Sequence, residues 1–297
     1  MRRRTAAPAS RRRNPPRHEA RIITTMGASM QVAAIQMVSS PRVDDNLARA
    51  DALVAEAARR GARLAVLPEY FCLMGASDTD KVGVRERPGN GPIQGFLADA
   101  ARRHGLWLAG GSLPLECPDP GRVLNTTLVF DPQGRQVARY DKMHLFAFQR
   151  GQERYAESES IMPGSHPAAF ACEGLRVGLS ICYDLRFPEL YRALSNPAPC
   201  DAFLVPAAFT HTTGEKHWEV LLRARAIENL AYVIASAQGG RHENGRRTWG
   251  HSMIVDPWGE VVAMQAEGEG VVSADLDPAR IAHHRTSLPA LEHRLLR

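Results

Sequence analysis

The stretch Leu175-Arg176-Val177-Gly178-Leu179-Ser180-Ile181-Cys182-Tyr183-Asp184-Leu185-Arg186-Phe187-Pro188-Glu189-Leu190 decides how the rest of the chain is read. Its first seven residues alternate apolar with small or polar side chains, the pattern of a core strand. Pro188 suits a first helical position, where the amide hydrogen it lacks would be unpaired anyway. Leu190 and Leu194 then repeat at helical spacing. The segment predicts strand, tight turn and helix, with Cys182 delivered at the strand's end and a helix N-terminus nearby to favour its thiolate. A lone strand-end cysteine is more often simply buried than reactive, so the chemistry depends on its partners.

Upstream, residues 30–36 read as a first strand, and Asp44 and Asp45 offer caps for a helix whose apolar stripe (Leu47, Ala50, Val54, Ala57, Ala58) stops at Gly61. A second strand over residues 64–67 runs into Pro68-Glu69, so this order makes a βαβ unit. A helix through Ile93, Phe96, Leu97, Ala100 and Ala101 ends at Gly105, and residues 106–113 predict one further strand. Residues 125–130, the turn Asp131-Pro132-Gln133-Gly134 and residues 136–140 predict a hairpin that exits into Asp141-Lys142.

Downstream, residues 202–206 read as a strand, 218–230 as a helix and 231–237 as a strand. A second hairpin then echoes the first, Leu128-Val129-Phe130-Asp131-Pro132-Gln133-Gly134 against Met253-Ile254-Val255-Asp256-Pro257-Trp258-Gly259. The echo predicts an α/β fold of two related halves, with two sheets between helical layers.

The chain of 297 residues has length for a substantial core. Its five cysteines form no C-x-x-C pair, which argues against a disulfide framework or zinc cluster and for a reducing, cytoplasmic setting. The net charge of +5 hints at nucleic acid until the charges are placed. Residues 1–29 hold eight arginines against Glu19, or +7, so the remainder carries −2 and shows no polyanion footprint. That Arg- and Pro-rich segment reads as a disordered leader or a mis-called start, ahead of one domain over 30–297. No apolar run is long enough to span a membrane.

Three strand ends thus offer Glu69, Lys142 and Cys182. An ordinary thiol is only a few per cent ionised at neutral pH, so a base and a positive neighbour are what it needs. In their contexts, Leu67-Pro68-Glu69, Tyr140-Asp141-Lys142-Met143-His144-Leu145-Phe146 and Ile181-Cys182-Tyr183-Asp184-Leu185-Arg186-Phe187-Pro188-Glu189-Leu190, they resemble the nitrilase or carbon–nitrogen hydrolase superfamily. The resemblance covers residues 30–297. It implies an α-β-β-α sandwich that pairs into homodimers, an acyl-transfer mechanism through a cysteine thioester, and no metal or organic cofactor. It further implies Glu69 as general base, Lys142 as electrostatic stabiliser, Cys182 as nucleophile and Glu157, with Glu153 and Glu159 as neighbours in the running, as the glutamate that orients the lysine. Lys142 and the backbone N–H of Tyr183 would hold the oxyanion.

Within that superfamily the chain looks closest to the Nit branch. Residues 237–242 and 250–253 resemble its deaminated-glutathione amidases more than its ω-amidases. This implies a small amide bearing carboxylates as substrate. Arg186 and Thr213 are candidates to bind it, Arg186 with the alternative of pairing to Asp184 or Glu189, and Arg241 and His242 to reach the distal end of a longer one. His144 reads as structural. The competing readings are an ω-amidase or N-carbamoyl hydrolase with the same catalytic set, an idle hydrolase fold acting as a binding protein, and a Cys-His hydrolase using His144 or His217.

Overall fold

The structure, a computed structural model, describes residues 28–151 and 153–295; residues 1–27 of the expected leader lie outside them. The first half runs β1 (Met30–Gln36), α1 (Val43–Arg59), β2 (Leu64–Val66), the short α2 (Asp80–Gly83), α3 (Pro92–His104), β3 (Trp107–Ala109), β4 (Leu113–Glu116), β5 (Val123–Phe130) and β6 (Gln136–Asp141). A small hairpin, β7 (Ala147–Arg150) and β8 (Glu153–Ala156), precedes the second half. That half comprises β9 (Ala169–Cys172), β10 (Leu175–Leu179), α4 (Pro188–Leu194), β11 (Ala202–Ala207), α5 (His211–Asn229), β12 (Tyr232–Ala237), β13 (Ser252–Val255) and β14 (Val261–Gln265). β15 (Gly270–Leu276) and α6 (Pro278–Ser287) follow.

The internal echo is a structural repeat. β1, β2 and β3 pair in parallel and are extended by the antiparallel β5–β6 hairpin, while β10, β11 and β12 pair in parallel and are extended by β13–β14. The two hairpin turns are built alike. The Asp131 carboxylate accepts from the amides of Gln133 (3.0 Å) and Arg135 (2.9 Å), and Asp256 accepts from Trp258 and Glu260 (both 2.9 Å). The left-handed fourth position falls on Gly134 and Gly259, which no side-chain-bearing residue fills as easily. An antiparallel edge strand completes each half, β15 against β1 and β9 against β10.

Side-chain alternation makes the layers. Ala33 and Ile35 of β1 pack with Ala50, Val54 and Ala57 of α1 and Ile93 and Leu97 of α3, while Val32 and Ala34 point into the core shared with the second sheet. Trp218, Leu222 and Ala226 of α5 join that second cluster. Each fully buried branched or aromatic side chain contributes roughly 1.5–3 kcal/mol over its exposed state. The result is the α-β-β-α sandwich expected from the motifs.

Three local expectations change. Residues 106–113 do not form one strand: the chain breaks at Gly110-Gly111-Ser112, where Gly111 is left-handed (φ 51°) and a Cβ would sit 2.0 Å from the Pro68 carbonyl oxygen. The helix expected to begin at Trp218 begins at His211, because the Thr210 hydroxyl accepts from the Thr213 amide and caps it. Polar Thr212-Thr213-Gly214 hides that first turn, and Gly214 is needed there since a Cβ would meet the Trp249 Cβ at 2.3 Å. Asp44 and Asp45 do not cap α1 but occupy its first turn, where their charge still favours the helix N-terminus.

Candidate active site

Glu69 follows β2, Lys142 follows β6 and Cys182 follows β10, so the first sheet supplies two of the groups and the second sheet the third. All three are buried. The Lys142 ammonium lies 2.8 Å from Glu69 Oε1 and donates to both oxygens of Glu157, at 2.9 and 2.8 Å. The other Glu69 oxygen accepts from the Ala208 amide (2.9 Å), just past β11, and Asn125 Nδ2 donates to Oε1 (3.0 Å). Glu69 is thereby aimed by both halves of the fold. Its charge is also among the causes that push the Cys182 thiol's pKa up, so the two groups face each other.

Glu157, on the turn after β8, reaches the lysine, whereas Glu159 accepts from Arg154. Besides Lys142 the Glu157 carboxylate takes the Tyr70 hydroxyl (2.9 Å) and the Phe146 amide (2.7 Å). Burial pushes its pKa up, but the Lys142 ammonium and these donors hold it below the usual carboxylate value. Burial acts on Lys142 in the opposite sense to its two carboxylates, and Glu157 and Glu69 win, raising its pKa so that the ammonium persists.

The thiolate-favouring helix terminus expected at Cys182 does not set its protonation. Burial first, and the Glu69 carboxylate second, push the thiol well above its ordinary range despite Lys142. The resting group is a thiol. Its backbone is left-handed (φ 48°), as is that of Tyr70 beside Glu69 (φ 56°); each such conformation costs on the order of 1–3 kcal/mol and persists only where the surroundings impose it. At Cys182 the surroundings are Asp184. Its buried carboxylate accepts from the Ile181 amide (2.9 Å), the Tyr140 hydroxyl (2.7 Å) and the His144 amide (3.0 Å), and lies 2.7 Å from His144 Nδ1. This ties the elbow to the strand that delivers Lys142. His144, stacked 3.7 Å from Phe187, belongs to this brace.

Beside the thiol is a small cleft whose lining includes Phe146, Tyr183, Arg186, Phe209 and Thr213. Arg186 faces it, its guanidinium 5.2 Å from the Phe209 ring and 3.2 Å from His217 Nδ1. It does not take the alternative partner Asp184, whose oxygens are occupied. Thr213 Oγ1 lies 2.9 Å from Thr210 Oγ1 in the first turn of α5. Tyr183 is the second residue of the 3-10 turn Cys182–Arg186, where amides have no partner within the turn.

Arg241 and His242 are not brought to this cleft. Arg241 is exposed. His242 is buried with Nδ1 2.9 Å from the Ser39 carbonyl and Nε2 2.8 Å from Thr248 Oγ1, so both ring nitrogens are engaged in holding a loop. Sequence reasoning missed Asn125, Tyr70 and Asp184. A signal for Asn125 was there: a polar amide in the wholly buried strand Val123–Phe130 needs a buried partner. Among the described residues no group of three or more His, Cys, Asp or Glu is placed to hold a metal ion.

A family model described as carbon-nitrogen hydrolase matches residues 31–286. A Synechocystis protein named deaminated glutathione amidase is 42% identical, over 89% of this chain and 97% of its own. An omega-amidase from Xenopus tropicalis is 37% identical, over 90% and 95%. Among solved structures, a Saccharomyces cerevisiae member of branch 10 of the nitrilase superfamily superposes with a TM-score of 0.82 at 30% identity, covering 91% of this chain and 98% of the yeast one.

Proposed function

Because the chain belongs to the carbon–nitrogen hydrolase family, we propose that this amidase works through a thioester on Cys182 and that its amide is deaminated glutathione. The observation that carries the mechanism is the position of Glu69, hydrogen-bonded to the Lys142 ammonium and near enough to the Cys182 thiol to act on its protonation. Glu69 takes the thiol proton as sulfur attacks the amide carbonyl. The developing oxyanion meets Lys142 and the Tyr183 amide. Protonated Glu69 then gives its proton to the leaving amine, and afterwards takes one from water as that water opens the thioester and releases the acid. Glu157 holds Lys142 in place throughout.

The name of the cyanobacterial relative supports deaminated glutathione, which would yield α-ketoglutarate and cysteinylglycine. Arg186 and Thr213 at the cleft suit the carboxylate of the α-keto acid part. Omega-amidase action on α-ketoglutaramate is the second reading, favoured by the amphibian relative. We further propose a homodimer: Val220 and Ile227 on α5 and Trp258 beside it are large apolar side chains at 68%, 46% and 50% exposure, a face that a second copy would cover. Five free cysteines suit the cytoplasm.

The test is hydrolysis of both amides by the purified full chain, followed as α-ketoglutarate and as ammonia. Preference for deaminated glutathione supports the reading. Preference for α-ketoglutaramate replaces it with the omega-amidase, and turnover of neither overturns both substrates.

A further inference from the structure

A second, small cleft opens on the far side of Tyr70 and carries two cations, Lys81 and Arg246. The Lys81 side chain is 14% exposed; among the described residues it meets the Ser160 hydroxyl at 3.2 Å, the Tyr70 ring and the carboxylate of exposed Asp78 at 4.0 Å, and it also feels the charge of Glu157. Arg246 lies with its guanidinium 5.3 Å from the Tyr155 ring and, among the described residues, has no carboxylate partner. A half-sequestered lysine and an arginine without an anion face one small space. Glu157 already accepts four hydrogen bonds, two of them from Lys142, and makes no hydrogen bond to either of these cations.

The loop that carries Arg246 is held for the purpose of position rather than chemistry. His242 pins it to the Ser39 carbonyl, and Asn244 Nδ2 donates to the Gly75 carbonyl (2.6 Å), which itself lines the cleft. The two clefts flank one aromatic wall. Phe146, at the thiol, packs 5.5 Å from Tyr155, on which Arg246 stacks. One wall thus has Arg186 on the thiol side and Lys81 with Arg246 on the other.

We infer that the Lys81–Arg246 cleft receives the terminal carboxylate of a peptide amine, the leaving half of the substrate. This rests on the proposed reading that the chain cleaves an α-keto acid amide of a dipeptide. Such a substrate has a carboxylate at each end, matching two separate sets of cations, whereas α-ketoglutaramate has one. From the scissile nitrogen a dipeptide spans up to about 7 Å, enough to pass the wall. The pair therefore sets the preference for a long amide over a short one.

The experiment compares deaminated glutathione with its glycinamide, in which the terminal carboxylate is replaced by a neutral amide, on the wild type, Arg246→Gln, Lys81→Met and the conservative Arg246→Lys. The wild type is expected to favour the acid by about 10- to 100-fold in kcat/KM, mostly through KM. Arg246→Gln and Lys81→Met are expected to shrink that ratio towards one, and Arg246→Lys to recover part of it. A general folding defect would lower both substrates together and leave the ratio standing, which overturns the inference. So does a wild type indifferent to the carboxylate. A wild type that hydrolyses α-ketoglutaramate but not deaminated glutathione removes the substrate reading itself, and this inference with it.

Discussion

The Lys142 ammonium straddles the Glu157 carboxylate, 2.9 Å from one oxygen and 2.8 Å from the other, while touching Glu69 on its remaining side. A fully buried ammonium between two carboxylates cannot drift, and its charge is fixed where an oxyanion would form. Glu157→Gln removes one anion and half the geometry. We expect kcat to fall about 100-fold with the chain still folded. Because Glu157 is a cause of the raised Lys142 pKa, its neutralisation lowers that pKa, so the alkaline limb of the rate profile should move to lower pH. An unmoved limb would show that Glu157 only fills space.

The Glu69 charge facing Cys182 fixes a second expectation. Burial and the Glu69 charge both favour the thiol. Neutralising Glu69 removes the repulsion, so Glu69→Gln should lower the Cys182 pKa and increase the ultraviolet thiolate absorbance at a given pH, measured against Cys182→Ala. Turnover should nevertheless fall by at least about 100-fold, since the proton carrier for the leaving amine is gone. More thiolate with less activity is the signature of a base. A variant that loses activity with no gain of thiolate contradicts that role.

Much of this was legible in the chain itself, and the reason is geometric. Glu69, Lys142 and Cys182 each sit where a strand ends, and those ends are marked locally by Pro68 after β2, by the hairpin that β6 closes at Asp141 and by Pro188 beyond β10. The duplicated Asp-Pro-x-Gly turns gave away the two halves because each needs a left-handed glycine and an aspartate that accepts from its own loop. What stayed hidden depends on contacts between distant segments. Tyr70 and Asn125 read as ordinary residues until Glu157 and Glu69 arrive from elsewhere. Arg241 and His242 were expected at the substrate, but the bridge between Arg241 and Arg247 turns His242 inward, and Arg246 is the residue of that loop that lines a cleft.

His242 offers a test in stability rather than rate. Both ring nitrogens are engaged, and burial lowers its pKa below the ordinary 6.5. The unfolded chain then binds the proton more readily than the folded one. The stabilisation tied to this neutral ring is complete above about pH 6.5 and is lost as pH falls from there through the depressed folded value. Denaturant unfolding of the wild type should weaken between pH 7 and 5. His242→Gln should be about 1–3 kcal/mol less stable at pH 7 and show a shallower dependence over the same range. Equal slopes would mean that the ring is solvated in the fold.

Gly111 links the fold to the site most directly. It is left-handed, and a Cβ there would lie 2.0 Å from the Pro68 carbonyl oxygen and 2.7 Å from that of Leu67, both backbone atoms that cannot rotate away. Gly111→Ala must therefore push the segment that carries Glu69. The Gly111 carbonyl also accepts from the Thr127 hydroxyl, so the neighbouring strand resists the shift. We expect a loss of at least about 2 kcal/mol in unfolding free energy. We also expect a kcat loss larger than that destabilisation explains at a temperature where the variant is fully folded, because a displacement of about 1 Å in a reacting group costs on the order of 100-fold. A variant with lowered stability but ordinary kcat would show that Glu69 is placed by Ala208 and Asn125 alone, and that the turn beneath it merely fills the sheet's end.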